Sequence, residues 1–385
     1  MGVPVSVAPE VLTWAVERSG RSLEELERGA GRLRVSDWLS GAKQPTLTQM
    51  EQFARRTGVP VGMLLLPQRP RFTLPVPDFR AGIRGRLAEP SADLAAVLRM
   101  SQQRQGWFID HAEANGLPPA EMVGVAADWS VERTAADMRR RLHFEVVDRP
   151  QRDRIRKHLV RAFEELGGLC VVTSMVGNNN HRMLDVGEFR GFTLVDRLAP
   201  LVFVNANQTS NGQLFTLAHE FAHVWRGSSG IGNEQEPDAA GSGPIEQWCN
   251  QVAAEFLVPA EDLTEVWAGY RDLPLRELLD RLAGRYRCGT VVVLLAIHRL
   301  GLMHFADIDA EYRRELDWLA SHERTTAGEG GNYYQGLPLK IGERFSKALV
   351  RDTLEGRTEL AQALRLLSMN RTATFDRYAE HLKVS

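Results

Sequence analysis

Apolar residues recur at three- to four-residue spacing along most of this chain, a pattern that predicts a largely helical protein. In the first seventy residues the helices are short. One opens at Pro9 and runs to Ser19, and a second starts at Ser22, with Glu25 three residues on as a capping box. Val35 to Leu39, Thr46 to Thr57 and Val61 to Leu66 follow. A longer helix begins at Ser91 and runs toward Asn115, with Leu94, Val97, Leu98, Trp107, Phe108 and Ile109 as its buried candidates. Others span Ser130 to Leu142 and the stripe Ile155, Leu159, Phe163, which stops at Gly167-Gly168. Three short apolar runs then read as strands of a small sheet: Leu169 to Thr173, Phe189 to Val195 and Leu201 to Asn205. Helical periodicity returns at 214–224 and 245–257, then at Leu275 to Arg285 and Thr290 to Leu302. It ends with Glu311 to Gly331, Ile341 to Leu354 and Thr358 to Leu367. The expected class is α+β, predominantly helical. The expected division is a helical head at 1–70, a linker and helical region at 71–149, a small-sheet core at 150–310 and a C-terminal helical region at 311–385.

Composition narrows the classes. A chain of 385 residues with 43% hydrophobic residues can build ordinary cores in two to four domains. It has no apolar run of transmembrane length and no basic-then-apolar opening, so no membrane role is expected. Cys170, Cys249 and Cys288 form neither a disulfide framework nor a CxxC pair, which points to a reducing cytoplasm. A formal net charge of −2 argues against bulk electrostatic binding of nucleic acid. Residues 1–70 carry nine Lys/Arg against seven Asp/Glu, a weak surplus for a groove reader. The arginines of 139–141 and 149–161 read as a solvated helix face, which an acidic substrate protein could also use.

The most informative stretch is Leu214 to Val224, which contains His219-Glu-Phe-Ala-His223. A helix advances about 100° per residue, so His219 and His223 lie one turn apart on one face and can grip a single Zn2+. Glu220 lies beside that site, placed to take a proton from the attacking water. Ser210 or Asn211 caps the start of this helix and Gly227 fits its stop. Catalytic zinc takes three protein ligands and keeps a fourth position open, so a third ligand is needed downstream. Glu246 is the first choice because it sits on a helix, in line with Asn250, Ala253, Ala254 and Leu257. Asp238 lies in an acidic loop without a rigid support, and Glu255 falls about 180° around the same helix. His181, in a polar loop near the strands, is a weaker candidate for stabilising an oxyanion.

Phe215-Thr-Leu-Ala-His-Glu-Phe-Ala-His223, followed by Glu246-x-x-Cys-Asn-Gln-Val-Ala-Ala-Glu-Phe-Leu-Val-Pro259, resembles the ImmA/IrrE family of metallo-endopeptidases. Cys249 and Val252 stand where that family usually has alanine and phenylalanine, both changes of packing size. The resemblance implies His219, His223 and Glu246 as zinc ligands and Glu220 as general base. It also implies a substrate that is one specific protein, a repressor or antitoxin encoded nearby. Leu74-Pro-Val-Pro-Asp-Phe-Arg80, Gly187-Glu-Phe-Arg-Gly-Phe192 and Gly331-Asn-Tyr-Tyr334 resemble segments of a long subfamily with an XRE-like head. Trp38-Leu-Ser-Gly-Ala-Lys-Gln-Pro-Thr46 resembles the XRE helix-turn-helix of phage repressors, although the helix before it is short and has only Arg28, Arg32 and Arg34 nearby. The competing reading is a non-proteolytic DNA-binding regulator or antitoxin that works through 1–70, with zinc structural or absent. A structural zinc wants a closed fourth ligand, and no further Cys or His accompanies the triad in sequence.

Overall fold

The computed structural model describes residues 4–28, 33–70, 90–232, 243–322 and 333–384. Arg32, the segment 74–80, Asp238, the turn-rich stretch 325–331 and the start of the 331–334 motif lie outside the described residues.

The head is five helices: α1 (Pro9–Ser19), α2 (Leu23–Glu27), α3 (Val35–Leu39), α4 (Leu47–Thr57) and α5 (Val61–Leu64). Two capping boxes fix the starts of α2 and α4, Ser22 with Glu25 and Thr46 with Gln49. The helices close on their own core, in which Val11, Trp14, Leu26 and Leu64 are buried and Trp38 meets Phe53 edge-on at 5.9 Å. Near α3 the described cations face acids. Arg28 pairs with Glu24 at 3.5 Å, and Arg34 and Lys43 lie 3.6 and 3.4 Å from Asp37.

Beyond the head come α6 (Ala92–Ala114), α7 (Val131–Arg141) and α8 (Ile155–Glu165), then strands β1 (Leu169–Thr173), β2 (Gly191–Leu194) and β3 (Leu201–Asn205). Helix α9 (Ser210–Arg226), strand β4 (Gly230–Gly232) and helix α10 (Pro244–Leu257) follow. Helices α11 (Ala260–Val266), α12 (Leu275–Tyr286), α13 (Thr290–Arg299) and α14 (Ile308–His322) come next, and α15 (Tyr333–Ile341), α16 (Glu343–Leu354), α17 (Leu360–Leu366) and α18 (Thr372–Leu382) close the chain. The α+β, predominantly helical class is what the structure has, and none of its described helices is long and apolar enough to cross a membrane.

The sheet has four strands in the order β1-β3-β2-β4, one more than the pattern predicts. β1 runs parallel to β3 with Leu169 opposite Leu201, and β2 is antiparallel to both β3 and β4. β4 escapes the sequence pattern because Gly230 and Gly232 leave Ile231 as its single strand-like residue. Alternate residues divide between two cores. Cys170, Val172, Val202 and Val204 join the core with α9 and α10, whereas Leu169, Val171, Phe192, Leu201 and Phe203 join α6 and the C-terminal helices. Burial on both faces explains why these strands read as unbroken apolar runs.

Several expected boundaries shift. The side chain of Thr209, not Ser210 or Asn211, caps α9 by accepting from the Gly212 N–H, and Gly227 ends the helix at φ +79°. α11, α15 and α18 were not expected as separate helices. The arginine run is a solvated face only in part: Arg140, Arg152, Arg154 and Arg161 are exposed, but two others turn inward. Arg139 is buried and donates to Glu255 O at 2.6 Å. Arg149, also buried, donates to Phe144 O (3.3 Å), Phe256 O (3.1 Å), Leu257 O (2.6 Å) and Tyr286 O (2.5 Å). Burial pulls Arg149 down to about 10, yet its fork satisfies the last carbonyls of α10, where a cation also meets the negative helix end. Arg149→Met removes four charge-assisted bonds and leaves buried carbonyls unpartnered, so a loss of about 3 kcal/mol or more is expected by urea denaturation. A change below about 1 kcal/mol would show that α10 does not depend on this clamp.

Candidate metal centre

Helix α9 lies against β2 and β3, and α10 crosses it closely. Phe221 stacks on Phe163 of α8 at 4.5 Å, and Trp225 donates its indole N–H to Asp137 of α7 at 2.9 Å, so α9 is held along its buried face. His219 and His223 come from consecutive turns of α9, and Glu246 comes from the first turn of α10. The fold brings the three together with one ligand atom from each within 4.8 Å of the others. The two Nε2 atoms are 3.0 Å apart, and the Glu246 oxygens lie 3.3 Å from His219 Nε2 and 3.2 Å from His223 Nε2.

These separations test the fit of a metal. Four ligands about 2.0–2.1 Å from a tetrahedral zinc lie roughly 3.3–3.4 Å from one another. The observed triangle is close to that edge length, and two neutral imidazoles with one carboxylate are donors that Zn2+ accepts. His219, His223 and Glu246 are each about 98–99% buried, so the carboxylate sits in a setting that favours a cation beside it. The residues fit the metal.

The surrounding groups fix the orientation of this set. His219 Nδ1 lies 3.0 Å from Asn250 Oδ1, so Nδ1 carries the proton and Nε2 faces Glu246. Glu220, 2% exposed, is the next residue on α9, and its Oε2 accepts from Thr193 Oγ1 at 2.6 Å. Thr193 and Gly191 alternate on the face of β2 that meets α9. A Cβ on Gly191 would stand 2.5 Å from Glu220 Oε1, 2.7 Å from Thr216 Cγ2 and 2.9 Å from the Phe203 carbonyl. The carboxylate therefore occupies a niche that only glycine leaves open.

The competing ligands fall elsewhere. Glu255 turns to the far side of α10, where it accepts from Ala260 N at 3.0 Å and pairs with Arg299 at 3.1 Å, with burial pushing its carboxyl above the usual range. Asp238 lies outside the described residues. His181 is exposed, and its backbone N–H donates to Asn179 Oδ1. Asn250 was visible in sequence as a polar member of the Glu246 stripe, one turn on, but not as the partner of His219. Thr193 and Gly191 gave no signal, because a strand residue's neighbours on a helix are not coded locally.

Residues 181–298 match the family model Peptidase_M78, described as the IrrE N-terminal-like domain. The matched stretch takes in β2, β3, α9, β4, α10 and the helices through α13, and so contains every residue of the centre. It supports the resemblance to the ImmA/IrrE family and a metallopeptidase-type function. Residues 341–381, which include α16 and α17, match a domain of unknown function, DUF8813. Neither the curated proteins nor the solved structures yield a match to this chain.

Proposed function

We propose that this chain is a zinc-dependent endopeptidase that cuts a specific protein partner, a repressor or antitoxin encoded nearby. The observation that carries the reading is the buried convergence of His219, His223 and Glu246 beside Glu220, inside the IrrE N-terminal-like match. His219, His223 and Glu246 would hold the ion, which when bound supplies Lewis acidity that acidifies water and polarises a carbonyl. Glu220 is the general base: its carboxylate takes the proton of the attacking water and hands it to the leaving amine. Thr193 keeps that carboxylate in place, and Asn250 keeps the His219 ring from turning. Burial of all four side chains excludes bulk water, which strengthens each of these interactions. β4 pairs with β2 alone among the described residues, so an extended peptide has a strand edge to add to.

The experiment is incubation of the zinc-loaded protein with the product of each neighbouring gene, followed by intact-mass measurement. Cleavage at one site in one partner is the expected result, and uncut partners with stoichiometric zinc present would overturn the reading. The head serves this reading as a docking surface, because the described cations near α3 are already matched by acids. Tight sequence-selective DNA binding with a steep salt dependence in a mobility-shift titration would restore the regulator reading.

A further inference from the structure

On the sheet face opposite α9, the end of β1, the loop after it, α6 and the C-terminal helices enclose a cleft. It holds about 300 Å³ counting the space open to solvent. Its polar lining comes from Ser101 and Arg104 of α6, Thr173 of β1, Asn178, Lys340 and Ser368.

Arg104 is the anomaly. It is 95% buried, yet among the described residues it has no acidic partner and makes one hydrogen bond, from Nε to Leu366 O at 3.0 Å. Buried Arg149, by contrast, spends its donors on four carbonyls. Arg104 lines the cleft with no partner for its terminal nitrogens among the described residues, and its aromatic neighbours are Phe345, 5.9 Å from the guanidinium carbon, and Tyr378. Burial pulls Arg104 down to about 10, a fall that a neighbouring carboxylate would have offset. Lys340, half-buried on the same cleft, likewise has no ion pair among the described residues. The cleft thus gathers two positive charges with no carboxylate between them among the described residues, a setting that favours an anion.

The backbone at the cleft is also unusual. Ser368 adopts φ +55°, a left-handed conformation that non-glycine residues rarely take, and its carbonyl accepts from Asn178 Nδ2 at 2.9 Å. Gly177, at φ +58°, lets the loop come so close that a Cβ there would meet Ser368 Oγ at 3.2 Å and Met100 Cε at 3.6 Å. The two segments are thus pinned around the cleft.

We infer that this cleft is a binding site for a small oxyanion-bearing ligand, a phosphate or carboxylate group that enters from the mouth to engage Arg104 and Lys340. Ser101 is a neutral donor on the same lining, while Thr173 Oγ1 donates to Met175 O and Asn178 Nδ2 to Ser368 O, which holds the walls in place around the two cations. The site shares no residue with the metal centre, and it joins α6 and β1 to Lys340, just before the DUF8813 match, and to Ile341, Leu367 and Ser368 within it.

The test uses the full chain at constant ionic strength, titrated with inorganic phosphate, succinate or chloride, and reads the unfolding midpoint and calorimetric heat. A saturable rise with phosphate or succinate, and none with chloride, is expected, and whichever acts identifies the head group. Lys340→Gln and Arg104→Gln should each weaken that binding at least tenfold. Lys340→Gln alters a half-buried side chain without a partner and should leave the fold intact, so it decides the matter if Arg104→Gln does not fold. Equal, non-saturating responses to all three anions, or binding unaffected by these substitutions, would overturn the inference.

Discussion

Glu220→Gln should keep its metal and its fold and lose cleavage of the partner by a factor on the order of 10²–10⁴, the usual cost of removing a positioned general base. The reasoning is geometric. Glu220 is adjacent to His219 yet is not one of the three clustered side chains, and its carboxylate lies against Thr193 and the Gly191 niche. An amide fits the same space and still accepts from the Thr193 hydroxyl through its carbonyl, but it cannot take a proton. The check is a paired measurement on one preparation, metal content and single-turnover cleavage. Metal retained with wild-type cleavage would assign the base to another residue. Metal lost would mean that the carboxylate stabilises the centre itself.

His219→Ala and His223→Ala should each abolish stoichiometric zinc, against one zinc per chain in the unmodified protein. Each substitution leaves two donors where a catalytic zinc takes three, and the Glu246 carboxylate then faces only one imidazole. Glu246→Gln should retain partial occupancy, because both imidazoles remain and an amide oxygen is a weak donor. Metal analysis after extensive dialysis gives the ratios directly. Full occupancy in both histidine variants would remove the metal assignment, and the proposed hydrolysis with it.

The helices that punctuate themselves were legible in sequence. α1 and α4, with their proline and capping-box starts, end where the pattern puts them, as does the uncapped α3, and β1 and β3 match to the residue. Helix rotation put the two histidines on one face of α9 and Glu246 and Glu255 on opposite sides of α10, and the two carboxylates do face different partners. What was illegible depends on long-range packing. Arg139 and Arg149 look like surface charge in a string of arginines, and only the arrival of the C-terminal end of α10 turns them into clamps. Gly191 and Thr193 sit near Glu220 because β2 lies under α9, a register that no local spacing encodes. β4 failed for a different reason: two of its three residues are glycine.

The sheet, with apolar side chains on both faces, has a consequence for how this protein comes apart. It is a party wall: the helices carrying the candidate metal centre lean on one side, and α6 with the C-terminal helices leans on the other. Neither tenant can leave without exposing plaster common to both. Val171 and Val172 are neighbours in the chain but belong to different rooms, so loosening one room withdraws the footing of the other. Damage far from the candidate metal ligands, in the C-terminal helices, is therefore felt at the centre through the strands themselves, beside the direct tie that the Arg344 N–H of α16 makes to Glu164 of α8.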